Sequence, residues 1–160
     1  MNKKIVNATE ITVDGIHFKS KLEARCYILL KEAGLNFKYE KTDVELLQGF
    51  RPSFDVYEVD RGQLKKKVTK GGKNQVIRSI SYKPDFVYSD NKRKIIIETK
   101  GFKNDVYPYK RKLFFKYLNL FLEQNKCEVY FFEPTNVTTI KQTIEIIKNI
   151  MKHDKRRNRR

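Results

Sequence analysis

The chain has 160 residues and carries 35 Lys+Arg against 19 Asp+Glu, a formal net charge of +16. That excess favours a polyanionic partner, nucleic acid ahead of a membrane surface. No apolar run of about eighteen residues predicts a membrane span. The opening Met1-Asn2-Lys3-Lys4-Ile5-Val6-Asn7 lacks the apolar stretch of a secretory signal. Two cysteines, Cys26 and Cys127, lie in apolar patterns without metal-ligand spacing. They read as buried thiols of a reducing, intracellular protein, and zinc is not expected. The length suits one domain with its own core, expected over residues 1–153, followed by a basic tail over 154–160.

In chain order, Ile11-Thr12-Val13 and Ile16-His17-Phe18 predict a small hairpin across Asp14-Gly15, a favoured two-residue turn. Leu22, Cys26, Leu29, Leu30 and Ala33 then follow helical spacing, and Gly34 stops the helix. Ser20-x-x-Glu23 is a capping-box pattern, in which Glu23 bonds back to the Ser20 amide. Residues 35–47 alternate well enough for one or two strands, with a break at Gln48–Pro52. Phe54–Val59 alternates again, and Asp60-Arg61-Gly62 makes a turn. A basic stretch follows, with Arg61, Lys65, Lys66, Lys67, Lys70, Lys73 and Arg78 around Gly71-Gly72. It reads equally as a solvated loop or as an arm for a phosphate backbone.

Lys83-Pro84-Asp85-Phe86-Val87-Tyr88 and Ile95-Ile96-Ile97-Glu98-Thr99-Lys100-Gly101 predict two strands joined by Ser89–Lys92. Strand side chains alternate between faces, so Ile96, Glu98 and Lys100 share one face, and Ile95, Ile97 and Thr99 the other. If the hairpin closes across Asn91-Lys92, Phe86 pairs with Ile97 and Asp85 falls opposite Glu98. A slip of one residue would send Asp85 to the other face. Two carboxylates and an ammonium together suit a hard divalent cation. Mg²⁺ takes one or two carboxylates and keeps waters, which leaves room for a phosphate oxygen. The ion stabilises transition-state charge and polarises a water, while a neighbouring lysine orients or activates the nucleophile. The structural alternative is a surface hairpin with charged decoration. Against it stands the Ile-Ile-Ile run of a buried strand, where a terminal carboxylate and lysine are costly unless used.

Gly101–Asp105 predicts a loop, and Pro108 opens a helix over residues 108–125 with Leu113, Tyr117, Leu120 and Phe121 on one side. Tyr109, Lys110, Arg111, Lys112 and Lys116 make its first turns aromatic and basic. Cations there oppose the helix macrodipole, which points to a partner, a solvated helix face being the alternative. Cys127–Phe132 predicts an interior strand ended by Pro134. Ile140, Ile144, Ile147 and Met151 mark a last amphipathic helix. The Lys155–Arg160 run reads as a disordered tail that holds phosphate non-specifically or keeps the chain soluble. The order favours an α/β fold, a mixed sheet covered by helices on both sides. The segment from Ile95 to Val129 is expected to be a parallel β-α-β unit.

Asp85 followed by Glu98-Thr99-Lys100 resembles the PD-(D/E)XK nuclease superfamily. The runs Phe18–Arg25, Tyr82–Tyr88 and Glu98–Lys103 resemble small phage-encoded members, of the endonuclease I and Holliday junction resolvase type. The resemblance spans about residues 11–115 in motif order. It implies a restriction-endonuclease-like αβββαβ core over the 1–153 domain, and a Mg²⁺-dependent DNA endonuclease in which Mn²⁺ substitutes. In that reading Asp85 and Glu98 hold the metal with the Thr99 carbonyl, Lys100 positions or helps deprotonate the attacking water, and Glu23 completes the acidic site. The expected phosphate contacts are Lys65, Lys66, Lys67, Lys70, Lys73, Arg78, Lys103, Lys110 and Arg111. The implied substrate is branched DNA such as a Holliday junction, gripped by a homodimer, with no membrane and no small-molecule cofactor. A phage-encoded chain would work in the cytoplasm of a bacterial host. Two other classes remain: a non-catalytic basic nucleic-acid-binding protein on the same fold, and a basic accessory or capsid-assembly protein. The intact Asp/Glu/Lys set argues against both.

Overall fold

The computed structural model describes residues 9–68, 76–101 and 105–157. The chain forms two compact units, one of residues up to Thr42 and from Lys83 onward, the other of Asp43–Tyr82. The first is mixed α/β. It opens with the expected hairpin, β1 (Ile11–Val13) and β2 (Ile16–Phe18), paired antiparallel with Val13 opposite Ile16. Its turn residues Asp14 and Gly15 both have positive φ, 52° and 74°, as a tight primed turn requires. Asp14 also accepts from Tyr27 at 3.0 Å and Lys31 at 2.6 Å, which ties the turn to helix α1 (Lys21–Glu32).

A four-stranded sheet follows. It contains β3 (Lys38–Tyr39), β8 (Phe86–Ser89), β9 (Arg93–Ile97) and β10 (Glu128–Phe132), in the spatial order β10-β9-β8-β3. Between β3 and β8 the chain forms the second unit, whose strands are β4 (Val44–Leu47), β5 (Val56–Asp60), β6 (Gln63–Val68) and β7 (Ile80–Tyr82). The β8–β9 register is the one the turn predicts, with Phe86 opposite Ile97 and Ser89 opposite Lys94. The Asp90 carboxylate fastens that turn, accepting from the amides of Lys92 and Arg93 at 2.8 Å each. Strand β10 runs parallel to β9, as the connection through helix α2 (Tyr107–Gln124) leads one to expect.

Alternation along the strands sends apolar residues to both faces of this sheet. Phe86, Ile95 and Ile97 join Phe18, Leu30 and Cys26, and also Ile140, Ile144 and Ile147 of helix α3 (Val137–Arg157), in one buried cluster. On the other face Phe131, opposite Ile96 in the register, takes the rings of Phe114 and Phe115 from α2 edge-on, at 6.1 and 5.0 Å. Helices therefore cover both faces, and the three isoleucines of β9 are all buried. Helix α3 starts on an Asn136 cap, whose side chain accepts from the Thr139 amide at 2.9 Å.

Several expectations are corrected. The buried residues of α2 are Tyr107, Phe114 and Leu118, while Leu120 is exposed. The helix is apolar around more than one stripe, so periodicity alone did not choose the face. Helix α3 continues through Lys155–Arg157, where a disordered tail was expected, and residues 158–160 lie outside the described ones. Cys127 is only half-buried, whereas Cys26 is buried. No described helix is long and apolar enough to cross a membrane.

In the second unit, β4 and β7 pair antiparallel with a register shift between Glu45 and Leu47, and the ladder is extended by a Phe50–Ile77 bridge. A Cβ on Gly49 would stand 3.0 Å from the Ile77 carbonyl oxygen and 3.2 Å from the Ser79 amide nitrogen, so a side chain there would push the opposing backbone aside. The basic stretch expected as a loop is in part strand, since Lys65, Lys66 and Lys67 lie on β6, paired antiparallel with β5. Arg61 and Gly62, both with positive φ (51° and 78°), make the turn between them.

Candidate active site

Each strand of the four-stranded sheet meets an acidic residue at the same end. Tyr39 opposes Phe86, Phe86 opposes Ile97, and Ile97 stands level with Phe132. One step further along this row come Glu40, Asp85, Glu98 and Glu133. The backbone confirms the alignment: the Glu40 amide donates to the Asp85 carbonyl at 2.8 Å, and the Glu98 amide to the Phe132 carbonyl at 2.9 Å. Like charges placed directly across strands repel, so a row of four carboxylates stands only if each is compensated.

The centre of the row is the predicted pair. Asp85 and Glu98 are both buried. The Asp85 amide donates to Glu98 Oε2 at 3.2 Å. Asp85 Oδ2 accepts from the Thr99 amide and the Thr99 hydroxyl, both at 2.7 Å. Glu98 Oε1 meets the Lys100 ammonium at 2.5 Å, so Glu98 and Lys100 do share a face. Lys100 is itself positioned: its Nζ lies 4.5 Å above the Tyr107 ring, and its amide donates to the Pro134 carbonyl at 3.0 Å. Burial and the charge of Glu98 push the Asp85 carboxyl up to about 7, against the pull of the Thr99 bonds. Two buried carboxylates thus share one ammonium and remain short of positive charge.

The flanks of the row carry their own cations. Glu133 accepts from the Tyr107 hydroxyl at 2.6 Å and from Arg111 Nε at 2.9 Å, and the Arg111 guanidinium also stacks on Phe115 at 4.3 Å. Glu40 pairs with the Lys19 ammonium, and this bond raises the lysine pKa above its ordinary value, with the charges of Glu23 and Asp85 adding to it.

Glu23 lies beside this row, and its carboxylate is well occupied. It accepts from the Ser20 hydroxyl at 2.8 Å, the Lys19 amide at 3.1 Å and the Tyr39 hydroxyl at 2.5 Å. The cap expected of it is therefore present in altered form. The amide it satisfies is that of Lys19, one residue before Ser20, while the Ser20 oxygen accepts from the Glu23 amide at 3.2 Å. Burial, then the bond to Glu23, raises the Tyr39 pKa. The thiol of Cys26 feels both Asp85 and Glu23, but burial comes first in pushing it up to about 12, so it stays protonated and unreactive. Among the described residues no three His, Cys, Asp or Glu side chains form a group that could hold a metal ion. Asp85, Glu98 and Glu23 are neighbours, not a closed three-carboxylate cage.

Of the expected phosphate contacts, Lys65 and Lys66 pair with Asp60 at 3.2 Å and Asp55 at 2.8 Å. Lys67 and Arg78 are exposed, and Lys110 is half-buried. Arg111 is held by Glu133 as described. Lys70, Lys73 and Lys103 lie outside the described residues. Sequence reasoning passed over Glu40, Glu133, Tyr39 and Lys19. A signal was present: Phe-Lys-Tyr-Glu, Ile-Ile-Ile-Glu and Tyr-Phe-Phe-Glu each put a glutamate straight after an apolar strand.

The family model described as "Protein of unknown function (DUF1064)" matches residues 3–130. The chain belongs to the DUF1064 family. The matched span holds Glu23, Asp85, Glu98, Thr99 and Lys100, whereas Glu133 and α3 lie beyond it. No curated protein and no solved structure matches the chain.

Proposed function

We propose that this DUF1064 chain is a metal-dependent DNA endonuclease that hydrolyses phosphodiester bonds, with branched DNA as its substrate. The observation that carries the reading is the register that sets Asp85 directly across from Glu98, with Lys100 at 2.5 Å from the Glu98 carboxylate. The element order of the first unit supports it as well. Read as α1, β3, β8, β9, α2 and β10, it follows the αβββαβ order of the restriction-endonuclease-like core.

A divalent cation fits the donor set. Two buried oxygen ligands, in which burial and then the Glu98 charge raise the Asp85 carboxyl to about 7, are the kind of pair a hard cation neutralises. Asp85 and Glu98 would hold Mg²⁺, with Mn²⁺ able to replace it, and the Thr99 carbonyl would add an oxygen. When bound, such an ion polarises the phosphate and lowers the pKa of a water. The chain's own residues do the rest. Lys100, fixed between Glu98 and the Tyr107 ring, orients the attacking water and balances charge on the scissile phosphate. Thr99 locks the Asp85 carboxylate, and Tyr39 holds Glu23 beside the pair.

The test is incubation of the purified chain with supercoiled, linear and four-way-junction DNA, with and without Mg²⁺. We expect metal-dependent cleavage that Asp85→Asn, Glu98→Gln and Lys100→Ala each abolish, while gel-shift affinity is kept or improved. Near-normal cleavage by the Asp85 or Glu98 variant would remove the assignment. One observation favours the second reading, a non-catalytic nucleic-acid-binding protein: the Glu23 carboxylate already accepts three hydrogen bonds. Binding without cleavage under every metal condition would select it.

A further inference from the structure

The β5–β6 hairpin has two unlike faces. Directly opposed residues of an antiparallel pair point to the same side, so Glu58 with Lys65 and Asp60 with Gln63 make one face, crossed by the Lys65–Asp60 ion pair at 3.2 Å. The other face carries Tyr57 opposite Lys66 and Val59 opposite Leu64. Val59 and Leu64 are 70% and 72% exposed and Tyr57 is 57% exposed. The turn at Arg61-Gly62 fixes this register through two positive φ angles, so the apolar face is built in and no slip places it in solvent. A two-stranded ribbon is barely stable alone in water, and an open apolar pair close to its turn calls for a partner.

The surrounding charge decides which partner. Arg61 stands exposed at the turn, and Lys66 lies 5.9 Å from the Tyr57 ring. A second copy would set the Lys66 side of one hairpin against that of another on chains of +16 each, while Glu58 and Asp60 lie on the opposite face. A closed duplex presents phosphates and keeps its base faces stacked, so it leaves Val59 and Leu64 uncovered. Unstacked bases on an anionic backbone match both features, because every base has an apolar π-face that an aromatic or aliphatic surface can take.

We infer that the Tyr57–Val59–Leu64 face of this hairpin binds unpaired bases of a nucleic-acid strand, with Arg61 at the turn taking a neighbouring phosphate. The inference rests on the nucleic-acid part of the function proposed above, not on its cleavage step. It names unpaired or branch-point nucleotides as what this unit recognises.

The experiment measures binding in EDTA by fluorescence anisotropy, using a fully paired duplex, a gapped duplex and a single strand. The gapped duplex carries 2-aminopurine in the gap, and light scattering follows the mass. With the unaltered chain we expect the 2-aminopurine emission to change on binding and the gapped duplex to be preferred. Tyr57→Ala and Leu64→Ser should weaken gapped and single-strand binding about tenfold, leave duplex affinity within about twofold, and keep the circular dichroism spectrum. Val59→Thr, which retains strand propensity, should show the same selective loss in milder form. Equal weakening on all three DNAs would overturn the inference, as would unchanged DNA binding accompanied by a change in mass, which would make the face a self-association surface. No binding to any DNA would overturn both this and the nucleic-acid reading. Selective binding without Mg²⁺-dependent cleavage would sustain the inference and defeat the nuclease.

Discussion

At the scale of single residues, Asp85 is where physics and proposed chemistry meet. Its ordinary pKa is near 3.8, and burial with the charge of Glu98 lifts it to about 7 in the folded chain. Between those two values the folded state holds a proton that the unfolded state has released. Stability must therefore fall as pH rises from about 4 to 7 and level off above that window. Compared by thermal melting in chelator, the parent should lose ground to Asp85→Asn between pH 5 and 8, by an amount on the order of a few kcal/mol. Because a cation competes with that proton, Mg²⁺ should raise the parent's melting temperature more at pH 8 than at pH 5. A parent and variant whose melting curves run parallel with pH would show that this carboxyl is not the strained group. Glu23 gives a separate test. Glu23→Gln keeps an oxygen for the helix cap, so the melting temperature should barely move while cleavage falls by orders of magnitude. Tyr39→Phe keeps the ring against Phe18 and Phe86, at 4.5 and 5.3 Å, and removes the hydroxyl that donates to Glu23 and accepts from the Lys19 amide at 3.4 Å. It should cost about 1 kcal/mol and slow cleavage without altering DNA affinity. Full activity in both variants would return Glu23 to a purely structural role.

At the scale of elements, helix α3 is the lid of the larger core. Ile147 is fully buried among Phe86, Ile95 and Ile97, so Ile147→Ala should destabilise by about 2–5 kcal/mol in urea denaturation. A cost under about 1 kcal/mol would mean the helix does not seal that face. Its apolar period was plain in the sequence, as was the β8–β9 register, because Asn91-Lys92 allows one closure and the isoleucine run pins the faces. That register carried Asp85 and Glu98 with it, so the centre of the site was legible. Its flanks were not. Glu40 and Glu133 take their places only once β3 and β10 are known to border β8 and β9, which is long-range pairing that no local pattern encodes. Strand β6 was missed because Lys65-Lys66-Lys67 lowers its apolar signal. Its strand character comes instead from the Arg61-Gly62 turn and from pairing with β5. The buried side of α2 was misplaced by one position because Leu113, Phe114, Tyr117, Leu118, Leu120 and Phe121 spread over nearly half the helix. Contact with Phe131, and not periodicity, selects Phe114.

At the scale of the whole molecule, the charge of +16 on 160 residues predicts that the proposed affinity for DNA is chiefly an ionic effect. Each phosphate neutralised by a Lys or Arg should contribute about 0.9 to the slope of log affinity against log salt. About six such contacts would weaken binding by roughly a thousandfold between 50 and 200 mM salt. Ion pairing already satisfies some of these cations, Lys65 by Asp60, Lys66 by Asp55 and Arg111 by Glu133. The slope should therefore be smaller than the number of lysines and arginines implies, and Arg78→Ala should reduce it by about one, while Arg111→Ala should act mainly on stability. Substrate geometry then sets the assembly. A four-way junction has two-fold symmetry and needs two cuts, which a pair of 19.1 kDa chains related by the same axis would supply. Light scattering of the junction complex should report two chains per junction, and branched DNA should displace linear duplex in competition. One chain per junction, with linear duplex cut equally well, would leave the acidic site and its hydrolytic chemistry standing and remove branched DNA as its target.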